Sequence, residues 1–348
     1  MAVKVYGTKA AGAKIEPMQI ERRALTPTDV EIDILYCGVC HSDIHQARNE
    51  WGNSIYPMVP GHEIVGRVIA VGNKVKSFKA GDLAGVGCLV DSCRECEYCK
   101  EGDEQFCKNG WVGTYNSIDK SGKPTYGGYS KRIVVDEAFT LHISEKLDLK
   151  AVAPLLCAGI TTYSPLRRWK VGKGQQVAVI GLGGLGHMAV KLAAAMGAEV
   201  TVLSTSDNKE ADAKKLGATH FVNTRNPESP KKLAGKFNFI INTVSAPNSY
   251  NVALGYLKAK GTMVLVGAPP EPSQVAGFSL IGGNKNLAGS SIGGIKETQE
   301  MLDFCETHNI VSEIEMIPIS KINEAYERII RSDVKYRFVI DMASLDQK

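Results

Sequence analysis

The sequence predicts an α/β protein in which a mostly β part is joined to a doubly wound parallel sheet, and three observations predict it. Up to about residue 150, apolar and polar residues alternate in the manner of strands. From about Gln175, short apolar runs alternate with helix-length segments, and a glycine cluster stands where the first of these runs passes into a helix. The 348 residues are enough for about two domains that fold without disulfide staples.

In chain order, Val30, Ile32 and Ile34 alternate with Glu31 and Asp33, which predicts a half-buried strand. Ile64 to Val71 reads as another, interrupted by Gly66 and Arg67. The run QQVAVIG then leads into a helical pattern that sets Leu185, Met188, Leu192 and Met196 on one face. Further apolar runs at Glu199 to Leu203, His220 to Val222, Phe237 to Ile241, Thr262 to Val266 and Leu287 to Ser291 complete six strands, mostly separated by helices, hence a parallel sheet. After about Gly293 a helix over ETQEMLDFCETH and a mixed tail ending KYRFVIDMASLDQK break the alternation, and the tail is expected to return to the first domain.

Charge and composition exclude several classes of function. The 41 Lys and Arg are scattered against 37 Asp and Glu for a net charge of +4, so neither a nucleic-acid nor a membrane-surface footprint is present. Lys4, Lys9 and Lys14 fall where a secretory signal needs an apolar core, and no run of 18 apolar residues occurs. A cytoplasmic chain without membrane spans is expected, its nine cysteines kept as reduced thiols or metal ligands.

Three motifs carry chemistry. Cys93, Cys96, Cys99 and Cys107 offer four thiolates within a short segment, a donor set that suits a closed tetrahedral zinc; an iron–sulfur cluster would want the short spacing to Cys-Pro that is missing here. Cys37, Cys40, His41, Asp43 and His45, with His62 and Glu63 and the distant Cys157, offer the donor types that an open, catalytic zinc draws from distant points in a sequence. Spacing alone does not select Cys40 over Cys37, and taken alone Cys157 reads as core and His62 as structural. The third motif, Gly181-Leu182-Gly183-Gly184-Leu185-Gly186, follows a strand and opens a helix, the context of dinucleotide binding. About 20 residues on, where an NAD site has a carboxylate, stand Ser204, Thr205 and Ser206, followed by Asp207 and Lys209. Hydroxyls and a lysine accommodate a 2′-phosphate, so NADP is favoured over NAD; Asp207 dissents, and the same residues would also cap the next helix.

Together CGVCHSDIH, YPMVPGHEIVGRV, the four-Cys lobe, GTYN, GGYS, LLCAGITTYSPL, GLGGLGHMAVKLA and KYRFVID resemble the zinc-dependent medium-chain alcohol dehydrogenases. Within that family the likeness is to the cinnamyl alcohol dehydrogenase group, with its NADPH-dependent bacterial aldehyde reductases. The resemblance implies a GroES-like catalytic domain of residues 1–155 and 296–348 with a zinc lobe at 88–110, and a Rossmann domain of residues 156–295, with zinc and nicotinamide in the cleft between them. It implies two zinc ions per chain and NADP(H). Cys40, His62 and Cys157 then become the catalytic zinc ligands, with Glu63 beside the metal and Asp43 orienting a ligand, while Cys37 is a bystander.

By the same resemblance Ser42 and His45 pass the proton to solvent and Thr161 meets the nicotinamide end of the cofactor. Val266, Gly267, Ser290 and Ile292 join the glycine loop and Ser204, Thr205, Ser206 and Lys209 in binding it; the middle hydroxyl, Thr205, departs mildly from the group's Ser. A homodimer through the stretch after Gly267 is implied as well. The expected reaction is reversible aldehyde reduction, and Trp51, Trp111 and Ile292 as pocket residues favour aromatic or aliphatic substrates. The competing readings are an NAD-linked polyol or secondary alcohol dehydrogenase of the same superfamily and a zinc-bearing binding protein without chemistry.

Overall fold

The structure, a computed structural model, describes residues 2–245, 250–267, 269 and 272–346. The chain divides into two compact units, Met1–Ile160 with Gly293–Lys348, and Thr161–Ile292.

The first unit is organised on the eleven-residue strand Asp29–Val39. Its first half pairs with Arg132–Asp136 and its second half with Arg337–Asp341, while Ile64–Val71 runs antiparallel along its other edge. Two register shifts on that edge, between Glu31 and Ile32 and between Ile34 and Tyr36, bend the strand. The order across this sheet is Ile314–Pro318, Arg337–Asp341, Asp29–Val39, Ile64–Val71, Leu83–Val86, Leu141–His142. The tail strand Arg337–Asp341 thus pairs with the strand that the N-terminal pattern announces, and Ile314–Pro318 pairs with that tail strand in turn, because an unpaired central strand would leave its backbone groups unsatisfied.

Val30, Ile32 and Ile34 are buried, as the alternation requires. Glu31 departs from it: it is buried too, and Arg132 on the paired strand meets its carboxylate at 3.3 Å. Cross-strand charge pairing lets an acidic residue occupy a covered position.

The second unit is a six-stranded parallel sheet in the order His220–Asn223, Glu199–Ser204, Gln176–Ile180, Phe237–Asn242, Leu257–Leu265, Asn286–Gly289. All six predicted strands are present with ends displaced, most at Leu257–Leu265, whose first residue pairs with Phe237 before a register shift. Strands covered on both faces become continuous apolar runs, and Val177, Ala178 and Val179 are all fully buried. In the helix Gly186–Ala195 the buried face is wider than the predicted stripe, taking in Ala189, Val190 and Ala193 beside Met188 and Leu192. Strand order reverses between Gln176–Ile180 and Phe237–Asn242, the switch point where such sheets open a crevice at the carboxyl ends of their strands. Among the described residues no helix is long and apolar enough to cross a membrane.

Candidate active site

In the first unit the strand Asp29–Val39 ends directly at Cys40, which caps the helix His41–Ala47, and Asp43 in the first turn accepts the Cys40 backbone N–H at 2.9 Å. His62 and Glu63 precede the neighbouring strand, whose Ile64 lies opposite Cys37. Cys157 stands at the start of the helix Ala158–Arg168. These elements bring donor atoms of Cys40, His62, Glu63 and Cys157 within 4.8 Å of one another, with the two sulfurs 3.8 Å apart and all four residues buried. Cys37 is buried outside this group, its thiol donating to the Gly38 carbonyl at 3.5 Å.

Room for Glu63 comes from Gly38, where a Cβ would fall 1.9 Å from Glu63 Oε2. Arg337, from the tail strand, donates to Glu63 Oε1, and both groups are buried. Burial pushes the Glu63 carboxyl up to about 8 against the opposing pull of the Arg337 cation. The hydrogen bond with Cys157 draws the Cys40 thiol well below its ordinary range, aided by the Arg337 charge, and holds Cys157 well above it. Burial disfavours a charged His62, yet the fields of Cys88 and Asp43 outweigh it and raise the ring well above the usual range.

Ser42 lies beside this cluster, its Oγ 3.6 Å from Cys40 Sγ. One turn on, His45 Nδ1 pairs with the Glu50 carboxylate, and its ring stacks on His41 at 4.7 Å and meets Trp51 at 4.9 Å. Trp51 and Trp111 are both exposed, and Ile292 is half-buried with a positive φ of 36°.

The second thiol cluster gathers Cys93, Cys96, Cys99 and Cys107 around the short helix Glu97–Glu101, with Sγ of Cys99 3.5 Å from Cys96 and 3.8 Å from Cys93. Backbone N–H groups of Cys93 and Cys96 point at the sulfurs of Cys107 and Cys93, at 3.4 and 3.3 Å. Backbone donors from Cys99 and Lys108 bring the Cys96 thiol down to about 6.

In the second unit the loop between Gln176–Ile180 and Gly186–Ala195 is shaped by its glycines. Gly181 has a φ of +89°, and a Cβ on Gly186 would lie 2.1 Å from the Gly181 carbonyl oxygen. Gly183 faces open space, a cradle at a helix N-terminus that leaves backbone accessible to a diphosphate. Lys209 reaches back to donate to the Leu182 carbonyl at 2.9 Å, joining the Ser204 to Lys209 segment to the glycine loop. Asp207 is turned away, accepting from Asn223 Nδ2 at 2.8 Å, and Ser206 caps the following turn without a side-chain bond. Val266 and Gly267 follow the strand Leu257–Leu265 and Ser290 follows Asn286–Gly289, so all three stand at carboxyl ends of the sheet. Thr161 is buried on the helix Ala158–Arg168.

Residues 26–145 match the alcohol dehydrogenase GroES-like domain family, and residues 184–307 the zinc-binding dehydrogenase family. The chain is 57% identical to NADP-dependent alcohol dehydrogenase C 1 of Mycolicibacterium smegmatis, across 99% of each chain. It is 55% identical to aldehyde reductase YahK of Escherichia coli, again across 99% of each. The chain belongs to the zinc-dependent medium-chain alcohol dehydrogenases. Among solved structures it superposes on a cinnamyl alcohol dehydrogenase of Sorghum bicolor with a TM-score of 0.96, 43% identity, and coverage of 99% of this chain and 98% of that one.

Both donor sets of this dehydrogenase fit zinc. Four thiols in one lobe suit a closed structural site, and two thiols with an imidazole suit a site that keeps a position open. Beside the second set, Glu63 Oε2 is buried with no hydrogen-bond partner, as expected of an oxygen facing a cation.

Several residues of the site escaped the sequence reading. Arg337 was visible only as a cation in an apolar strand segment, and nothing in the sequence linked it to Glu63 across 274 positions. Cys88 was counted with the other cysteines, yet its thiol interacts with Cys157 and lies 3.9 Å from the Leu156 carbonyl. Glu50, the partner of His45, carries no signal beyond its closeness in sequence.

Proposed function

We propose that this dehydrogenase reduces aldehydes to primary alcohols, reversibly and with NADP(H), over a range that includes aromatic, cinnamyl-type and aliphatic substrates. The observation that carries the reading is the convergence of Cys40, His62 and Cys157 in one buried cluster with the Glu63–Arg337 pair behind it. Bound there, zinc supplies Lewis acidity toward a carbonyl or alcohol oxygen, and NADPH supplies the hydride. The chain's own work is to hold and move charge. Cys40, His62 and Cys157 hold the metal, and Glu63 stands beside it with its spare oxygen. In the reduction direction a proton passes from water through the partly exposed His45 ring, the cofactor ribose and the Ser42 hydroxyl toward the oxygen being reduced, and the reverse path serves alcohol oxidation. Thr161 meets the nicotinamide end.

For the cofactor, Gly181 to Gly186 cradle the diphosphate, Val266, Gly267, Ser290 and Ile292 line its path, and Ser204, Thr205, Ser206 and Lys209 take the 2′-phosphate. Support for NADP comes from the absence of a carboxylate at the tip of Glu199–Ser204, from Asp207 being engaged by Asn223, and from the name of the mycobacterial relative. Aldehyde reductase YahK supports the substrate class. Cys93, Cys96, Cys99 and Cys107 hold the structural zinc. The catalytic domain is proposed to be 1–155 with 296–348, and the cofactor domain 156–295. A homodimer is supported by the edge strand Asn286–Gly289 with Phe278 84% and Ile281 67% exposed nearby in sequence; part of the stretch after Gly267 lies outside the described residues. Nine cysteines, none of them in a disulfide, suit the reducing cytoplasm.

The test is the initial rate of nicotinamide oxidation with cinnamaldehyde, comparing kcat/KM for NADPH and NADH. A strong NADPH preference is expected. Equal or NADH-favoured rates would remove the phosphate site and favour a polyol dehydrogenase, and no turnover with either would remove the substrate class.

A further inference from the structure

The ligand cluster is backed by a buried carboxylate whose partners reach well beyond it. Asp43, fully buried, accepts the Cys40 N–H on Oδ2 at 2.9 Å and the Gly61 N–H on Oδ1 at 3.1 Å, and its Oδ1 lies 3.2 Å from His62 Nδ1. It therefore touches the backbone of one metal-ligating residue and the ring of another. Oδ2 accepts one more bond, from the Tyr129 hydroxyl at 3.2 Å. Tyr129 is itself fully buried, and the Tyr326 hydroxyl, from the helix Ile322–Ile330, donates to Tyr129 at 3.5 Å. With its lone pair facing Tyr326, the Tyr129 hydroxyl has its single proton directed at Asp43. Tyr115 completes the surroundings, its ring stacked on His62 at 5.7 Å and its hydroxyl near Asp43.

We infer that Tyr129 is a positioning residue for the catalytic metal centre, holding the Asp43 carboxylate in the orientation that receives His62 Nδ1–H and leaves the other ring nitrogen to the metal. The inference rests on the reading of Cys40, His62 and Cys157 as zinc ligands. A carboxylate that can rotate would present its oxygen to the ring less consistently, and removal of such outer partners costs about 10–100-fold in metal affinity or activity. Tyr326 acts on Tyr129 and not on Asp43, so its removal has a smaller effect.

The experiment follows the transfer of zinc from the holoenzyme to the chromophoric chelator 4-(2-pyridylazo)resorcinol, together with visible spectra of enzyme carrying cobalt(II) at the catalytic site. In Tyr129→Phe, one zinc is expected to leave about 10-fold faster or more, with the other unchanged and the cobalt bands shifted. In Tyr326→Phe the rate is expected to change less than about threefold. Unchanged zinc loss and superimposable cobalt spectra in Tyr129→Phe would overturn the inference, and so would an equal acceleration in Tyr326→Phe, since the effect would then be one of packing. If Tyr129→Phe does not fold, 3-fluorotyrosine at position 129 keeps the ring and changes the acidity of the donor: an altered rate supports the role and an unaltered one overturns it. A wild-type enzyme that holds only the slowly released zinc would remove the metal reading itself, a result distinct from two zincs indifferent to Tyr129.

Discussion

Arg337 donates to Glu63 within the first unit, joining a tail strand to the loop that carries His62, with both side chains buried. With its carboxyl already raised to about 8, Glu63 takes up a proton when Arg337 is removed, so the loss is that of a charge-assisted hydrogen bond and not of a stranded charge. Arg337→Met is expected to lower the stability of the first unit by about 1.5–3 kcal/mol, seen as an earlier guanidinium midpoint. A midpoint within error of wild type would mean that Glu63 is held by other contacts.

Gly186 is the closest approach in the glycine loop, with no space for a Cβ against the Gly181 carbonyl. Gly186→Val should therefore weaken NADPH binding by about 10-fold or more, since a helix N-terminus binds phosphate only where the backbone can come near. Fluorescence titration gives the affinity and metal analysis gives the zinc content, which should stay at the wild-type value because both thiol clusters lie in the other unit.

Asp29 supplies the clearest pH-dependent contact away from the metal site. Burial raises its pKa, but the hydrogen bond from Arg23, with others from Thr26, outweighs burial and leaves it lowered. A folded-state pKa below the unfolded value of about 3.9 stabilises the fold above that value, and the gain is lost as pH falls through the folded pKa. Asp29→Asn should thus cost about 1.5–3 kcal/mol near neutrality. The gap from wild type should close below about pH 4, in urea titrations across that range. A gap independent of pH would show that the loss is one of packing.

Cys107 anchors the thiol lobe from beyond the short helix and accepts the Cys93 N–H. Cys107→Ser is expected to lower the melting temperature and solubility before it changes the pH profile of turnover, because a closed zinc site contributes to folding and not to chemistry. An unchanged melting curve would argue against a structural metal there.

Much of this site was legible because its signals are local. The four thiols at Cys93 to Cys107 fall within one lobe, and the glycine loop lies between a strand and a helix whose periods differ. What stayed illegible depended on distance. Spacing did not separate Cys40 from Cys37, which differ in the structure because one ends a strand at a helix cap while the other points into the interior.

By itself, then, the sequence determined the elements and their donors: six parallel strands, a glycine turn, two sets of metal-binding side chains and a tip without the NAD carboxylate. These follow from periodicity and residue chemistry over short stretches, where a strand or helix must match its own pattern of burial. The tertiary structure decided which of those donors meet. Only pairing of the Arg337–Asp341 strand with Asp29–Val39 brings Arg337 to Glu63, and only the packing of three separate segments sets Tyr129 against Asp43 and Tyr326 against Tyr129. Such contacts arise from strand order and side-chain packing, which satisfy buried charges and hydroxyls through residues far apart in the chain.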